Sequence, residues 1–250
     1  MTVIITGAAG FIGSHLSKHL SLQADVICCD PADPAMSSID ECIGYMRDNP
    51  DKIDAVYHLG ANSSTTETSL INLTDNNIKL SAVLMDVCAE YNIPLVYASS
   101  ASVYGLGENG FKEDAVMTPL NYYSISKMTM DLYAKQKICD NPTLRLYGLR
   151  YFNVYGLGEA SKKDQASPVH KFLSQAKTNG EIKIFEGSDN FLRDFIHIDD
   201  VVKMTAFATS LSKPGIYNVG TGKSRSFYDI ADIVSKLTGA KITEVPFPQH

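Results

Sequence analysis

Apolar residues recur along this chain in short runs separated by longer stretches of helical spacing. Residues 2–6, Thr-Val-Ile-Ile-Thr, are rich in β-branched side chains and predict a buried strand. Comparable runs lie at 25–30, 54–61, 94–99 and 144–151. Between them, 14–20 has helical spacing, and 70–92 reads as one long helix with Leu80, Val83, Leu84, Val87 and Cys88 on its inner face. Residues 122–137 predict a further helix. Between Asp30 and Asp54 no strand-like run occurs, and Ile39, Cys42, Ile43 and Met46 predict a helix from Ser38 to about Arg47. Strands alternating with helices imply right-handed crossovers and a parallel sheet covered on both faces.

Beyond Asn153 the pattern changes. A charged loop at 162–164 precedes a helix over 167–177, a strand at 182–185, a helix over 199–210 and a strand at 216–219. The last predicted helix, 227–238, turns Ile230, Ile233, Val234 and Leu237 inward. This predicts a main domain of residues 1–153 and 194–220. A smaller lobe of residues 154–193 and 221–250 is interleaved with it.

Chemistry is concentrated at two places in the main domain. Gly7-Ala8-Ala9-Gly10-Phe11-Ile12-Gly13 sits between the first strand and its helix. Glycines there let the backbone approach a pyrophosphate, whose charge meets the open N–H groups of the helix N-terminus. The spacing is Gly-x-x-Gly-x-x-Gly. Asp30, at the end of the second strand, stands where a ribose hydroxyl would be read. The second place pairs Tyr123 with Lys127, one helical turn apart. A phenol titrates near 10 in water, and a neighbouring ammonium favours the phenolate. Ser100, at the end of the fourth strand, can hold the oxygen whose proton moves.

These features resemble the extended short-chain dehydrogenase/reductase family, the NAD-dependent epimerases and dehydratases, over nearly the whole chain. Ser100, Tyr123 and Lys127 fall on the family's catalytic positions, and Arg193-Asp194-Phe195-Ile196-His197-Ile198-Asp199-Asp200 on a later motif. The segments Ser63-Ser64-Thr65-Thr66-Glu67, Asp75-Asn76-Asn77, Arg150 to Gly156, Phe185 to Phe191 and Pro246-Phe247-Pro248 are similar to the branch that inverts a side-chain carbon of ADP-activated heptoses. The resemblance implies a Rossmann-like doubly wound α/β sheet with a small substrate-binding lobe. It also places a strand between 31 and 53, which this chain lacks, so one edge strand is expected to be missing.

For function, the resemblance implies epimerisation of a nucleotide-diphosphate sugar by transient oxidation with a bound nicotinamide. The implied cofactor residues are Gly7, Gly10, Phe11, Ile12, Gly13, Asp30, Leu59, Gly60, Ala61, Ser63, Asn76, Lys127 and Val154. The implied substrate residues are Ser100, Asn153, Asp164, Lys171, Phe185, Glu186, Gly187, Ser188 and Arg193. Asp164 and Lys171 differ in residue type from the related enzymes. Lys162 occupies the position of a second base, which direct inversion needs because the intermediate ketone presents each face in turn. Resemblance places NADP slightly ahead of NAD, whereas the charge of Asp30 favours NAD. A UDP- or dTDP-sugar 4-epimerase and a non-catalytic nicotinamide sensor are the alternatives. A dehydratase is disfavoured because Ala101-Ser102 stands where the resembling dehydratases carry Asp-Glu. The resembling epimerases continue past the last residue here, including a tyrosine with no counterpart, so either the smaller lobe is truncated at its C-terminus or this is a reduced variant, and substrate affinity is the quantity at issue.

Composition narrows the partners. A net charge of −6 argues against nonspecific nucleic-acid binding, which needs clustered cations. No run approaches eighteen apolar residues, so no membrane span is expected, and the glycine loop begins too early for a signal peptide. The cytoplasm is the expected location and a homo-oligomer the expected assembly. Five cysteines (Cys28, Cys29, Cys42, Cys88, Cys139) without metal spacing are expected to be reduced thiols. His15 and His19 share a helix face without an acidic or thiol cluster, so no metal is expected. Arg193 pairing with Asp194 or Asp200, and Thr65, Thr66 and Glu67 capping the long helix, are the purely structural readings of those residues.

Overall fold

The computed structural model describes residues 1–107 and 109–247, so Pro248 of the Pro-Phe-Pro segment and His250 lie outside the described residues. In chain order the elements begin β1 (Thr2–Thr6), α1 (Phe11–Leu20), β2 (Asp25–Cys29), α2 (Ile39–Asp48) and β3 (Ile53–His58). They continue α3 (Leu70–Leu73), α4 (Leu80–Glu90), β4 (Leu95–Ser100), α5 (Tyr122–Asp140), β5 (Leu146–Tyr151) and β6 (Asn153–Tyr155). The remainder is α6 (Pro168–Asn179), β7 (Glu181–Phe185), β8 (Leu192–His197), α7 (Ile198–Phe207), β9 (Gly215–Val219), β10 (Ser224–Ser226), α8 (Phe227–Thr238) and β11 (Lys241–Val245).

Two compact units result, Met1–Tyr151 with Asp199–Val219, and Phe152–Ile198 with the chain from Gly220 onward. The first is a six-stranded sheet ordered β2-β1-β3-β4-β5-β9, parallel throughout. The order reverses between β1 and β3, which is where a doubly wound sheet opens a ligand crevice at its carboxyl edge. Helices α2, α4 and α5 close one face through Cys42, Met46, Leu84, Cys88, Met130 and Ala134. In the second unit β8 joins β10 antiparallel and β6 parallel, and β7 pairs with β11. Its core is Phe172, Ala176, Ile182, Ile184, Ile230 and Val234.

The missing edge strand is observed: β2 is the last strand on its side, and 31–53 contributes α2, whose Ser38 cap and Glu41 form a reciprocal capping box. Among the described residues, this segment pairs with the open edge of β2 by one isolated parallel bridge, Cys29 with Ser37.

Three expectations are corrected. Cys29 and Cys42 form a disulfide, leaving Cys28, Cys88 and Cys139 free. The capped start of α2 brings the buried Cys42 against the buried last residue of β2. The long helix over 70–92 is interrupted by a π turn at Thr74–Lys79. One residue is gained in that turn, and the buried residues of α4 are Ser81, Leu84, Met85, Val87 and Cys88, while Val83 is exposed. On α8, Ile230 and Val234 are buried but Ile233 and Leu237 are exposed.

Candidate active site

The glycine loop has the geometry a pyrophosphate requires. Gly7 adopts φ +70°, and a side chain there would run into the backbone of Gly60. A Cβ on Gly13 would lie 2.0 Å from the Gly7 carbonyl oxygen, so the first turn of α1 sits directly on the loop. Gly10 flanks the helix as its N-cap, followed by Phe11 and Ile12, and the N–H groups of that first turn supply the anion-binding end. Asp30 is largely buried and fixed by two backbone donors, Ala9 N–H to Oδ2 at 3.0 Å and Ala32 N–H to Oδ1 at 2.9 Å. Its carboxylate therefore stands beside the loop with lone pairs left for a ribose hydroxyl. Leu59, Gly60 and Ala61 follow β3 at the same sheet edge, with Gly60 N–H donating to Thr6 Oγ1 at 3.3 Å. These residues fit a dinucleotide.

Ser63 and Asn76 are exposed, and the Asn76 amide donates to Asn72 O at 3.0 Å. Asn77 is the buried asparagine: it accepts from Asn62 N–H at 2.8 Å and donates to Asn62 O at 3.0 Å and Ser126 Oγ at 2.9 Å. Through Ser126, whose hydroxyl donates to Tyr123 O at 2.7 Å, it braces the start of α5. The only signal for Asn77 in the sequence is the Asn-Asn pair, and the π turn decides which member faces inward. The N-cap of α3 is Ser69, whose hydroxyl accepts from Asn72 N–H at 3.2 Å, and not Thr65, Thr66 or Glu67; Glu67 Oε1 accepts from Ser69 N–H at 2.8 Å and Oε2 from the Asn62 amide at 3.0 Å.

Ser100, Tyr123 and Lys127 are brought together. Ser100 ends β4, its hydroxyl accepts from Ser102 N–H at 3.1 Å, and it lies near enough to Tyr123 to favour the phenolate. Asn121 caps α5 and so places Tyr123 and Lys127 in its first two turns. Lys127 Nζ donates to Ala98 O at 2.8 Å and lies 5.9 Å from the Tyr123 ring centroid. Burial pushes the lysine down to about 8, opposed by the Asp131 carboxylate. The expectation that Tyr123 titrates low is not met here: burial pushes its phenol above the ordinary value, and only the Ser100 hydrogen bond acts the other way. Desolvation outweighs the lysine because the ammonium is turned to the Ala98 carbonyl.

Behind Lys127, Asp131 and Arg150 form a fully buried ion pair, Nε to Oδ2 at 2.7 Å, which the sequence reading missed. Tyr97 donates to Asp131 at 2.9 Å and Arg150 to the Tyr104 hydroxyl at 2.7 Å. Buried His58, held between Thr6 and Ser81, is pushed down to about 3 by burial first and by Lys127 second, so it stays neutral.

In the smaller unit, Val154 is buried on β6 and the Asn153 amide donates to Asp194 O at 3.3 Å. Phe185 to Ser188 form the turn after β7, with Gly187 at φ +78° and the Ser188 hydroxyl returning to Phe185 O. Phe185, Glu186 and Gly187 are exposed. Arg193 is exposed, with its guanidinium 5.9 Å from the Phe227 ring. Asp194 is instead occupied by Thr221 and Gly222, whose N–H groups and hydroxyl it accepts. Asp164 and Lys171 meet through the Asp164 carbonyl, which accepts from Lys171 Nζ at 2.8 Å. Lys162 is paired with the buried Glu159 at 3.0 Å. Among the described residues no cluster of His, Cys, Asp or Glu could hold a metal ion, and no helix is long and apolar enough to cross a membrane.

Residues 3–220 match the NAD dependent epimerase/dehydratase family. The chain belongs to that family. Among the family's curated members, it is 40% identical to an ADP-L-glycero-D-manno-heptose-6-epimerase of Brachyspira hyodysenteriae, over 98% of this chain and 84% of that protein. A protein of the same name from Alkalilimnicola ehrlichii is 38% identical, over 99% and 85%. Among solved family structures, the Helicobacter pylori ADP-L-glycero-D-manno-heptose-6-epimerase superposes with a TM-score of 0.81 at 31% identity, over 98% and 85%. A UDP-N-acetylglucosamine 4-epimerase from Methanobrevibacter ruminantium reaches 0.86 at 26% identity, over 99% and 86%.

Proposed function

We propose that this chain is an NAD-dependent epimerase that converts ADP-D-glycero-D-manno-heptose to its L-glycero epimer at C6. The observation that carries the reading is the gathering of Ser100, Tyr123 and Lys127 beside a glycine-loop parallel sheet, in a chain 40% identical to a protein of that name over 98% of its length.

A bound nicotinamide supplies reversible oxidation of the sugar carbon and is not consumed. The protein's part is to move the hydroxyl proton and hold the sugar. Ser100 donates to the substrate oxygen, and Tyr123 takes its proton and later returns one. Burial opposes the phenolate, so Ser100 and the Lys127 charge must offset that desolvation when substrate arrives. Lys162 serves as the second proton-transfer group, for the opposite face of the ketone. Arg193 gives a charge-assisted bond to the diphosphate. Phe185 to Ser188, with Asn153, contact the nucleotide sugar.

We infer NAD over NADP. Asp30 stands beside the ribose position, where a carboxylate accepts from a 2′-hydroxyl and repels a 2′-phosphate, and no Lys or Arg occurs from there to Arg47. We also infer a homo-oligomer, supported by apolar side chains exposed on the neighbouring helices α4 and α5, namely Val83, Ile125 and Leu132.

Incubating purified protein and NAD with ADP-D-glycero-D-manno-heptose, UDP-glucose and UDP-N-acetylglucosamine tests the reading. Epimer is expected from the heptose alone. Turnover of a UDP-sugar in its place would make the chain a 4-epimerase, and turnover of none would leave a binding protein.

A further inference from the structure

Glu159 is a carboxylate for which the reaction, as described, has no use. It is almost fully buried, and both its oxygens are occupied. Oε1 accepts from Ser167 N–H at 2.6 Å and from Lys162 Nζ at 3.0 Å, and Oε2 accepts from the Ser167 hydroxyl at 2.8 Å. Ser167 is in turn the N-cap of α6, its hydroxyl oxygen accepting from His170 N–H at 3.3 Å. The carboxylate is thus clamped to the rigid start of a twelve-residue helix. Lys162 lies in the 3-10 segment Glu159–Gln165, three residues after Glu159, and its amine also reaches the Val154 carbonyl at 3.4 Å. A long lysine stem in a surface segment would otherwise sample many rotamers. Neighbouring Lys163 is exposed, so the pairing singles out one of two adjacent lysines.

We propose that Glu159 is a positioning residue for Lys162, fixing its amine through a carboxylate anchored on the Ser167 helix cap. The proposal rests on the reading of Lys162 as the second proton-transfer group. A purely structural Glu159 would serve only to hold the 159–167 segment to α6. The two roles differ in what they do to turnover. A positioning role needs the lysine, whereas a structural role is the same whether or not the lysine is there.

The test is a double-mutant cycle on the full chain with cofactor bound, using Glu159→Gln, Lys162→Met and the pair. Glutamine keeps an acceptor for Ser167 but loses the charge that holds the ammonium. Lys162→Met is expected to lower kcat by about 10²–10⁴-fold. Glu159→Gln is expected to lower kcat by roughly 10–100-fold with KM within about threefold, since misplacement of a reacting group is costly. In the Lys162→Met background, Glu159→Gln should cost no further kcat. Additive losses, or a Glu159→Gln loss confined to KM, overturn the proposal. If Lys162→Met leaves kcat within about threefold, the two-base reading itself fails and the proposal falls with it. Should Glu159→Gln not fold, Glu159→Asp keeps the charge on a shorter stem, and the same non-additivity is required of it.

Discussion

Lys127 carries its charge in a place that disfavours it. Buried to about 8 against an ordinary lysine value near 10.4, it is an ammonium at neutral pH at the expense of stability. Below about 8 that cost is present in full. Between about 8 and 10.4 the unfolded chain holds more protons, so stability rises with pH. Lys127→Met should therefore abolish epimerisation yet raise the melting temperature at pH 7 by a few degrees, on the scale of roughly 2–4 °C per kcal/mol for this size. The gap should close toward pH 10, and a gap independent of pH would refute the argument. At this scale the sequence carried the identities of Ser100, Tyr123 and Lys127, because the chemistry demands those types at helical spacing. It did not carry their electrostatics, since burial of Tyr123 and the turn of Lys127 toward Ala98 arise from packing. Asn77, Asp131 and Arg150 were hidden for the same reason, each being partnered by a residue remote in sequence, and Glu159 because its burial against Ser167 has no compositional mark.

Among the elements, the alternation of strands and helices in the first unit was legible almost to its ends, including the absence of a strand in 31–53. The π turn at Thr74–Lys79 was not, because a gained residue has no compositional mark. Around it Asn77 is buried while its neighbour Asn76 is exposed, and Val83 is outside. The three-residue strands β6 and β10 were equally silent, being too short to show alternation. Helix α2 owes its attachment to Cys42 as well as to apolar packing. Closing a loop of this length stabilises by about 3 kcal/mol in the chain-entropy account. In denaturant without reductant, thiol titration should find the three free cysteines, and five after reduction, with a lower melting temperature for the reduced protein. Five thiols before reduction would exclude the link.

For the molecule as a whole, fold likeness does not choose the substrate. The 4-epimerase superposes better, at 0.86 against 0.81, while the heptose enzyme is nearer in sequence, at 31% against 26%. Function lives in the grafted site residues. The proposed homo-oligomer would form through the surface of α4 and α5. Light scattering should show a mass above that of one 27.3 kDa chain, and Leu132→Glu should reduce it to that of one chain. A monomeric parent would end that inference. The missing strand has a consequence of another kind. A sheet that stops at β2 offers a rim of unpaired peptide groups, which invites a stranger's strand to zip on and seed aggregates. Here the chain folds back on its own rim: Ser37 N–H occupies the Cys28 carbonyl at 3.1 Å and bridges Cys29. That N–H closes one position of the rim, and a proline at Ser37 would remove the donor and leave that position open as well.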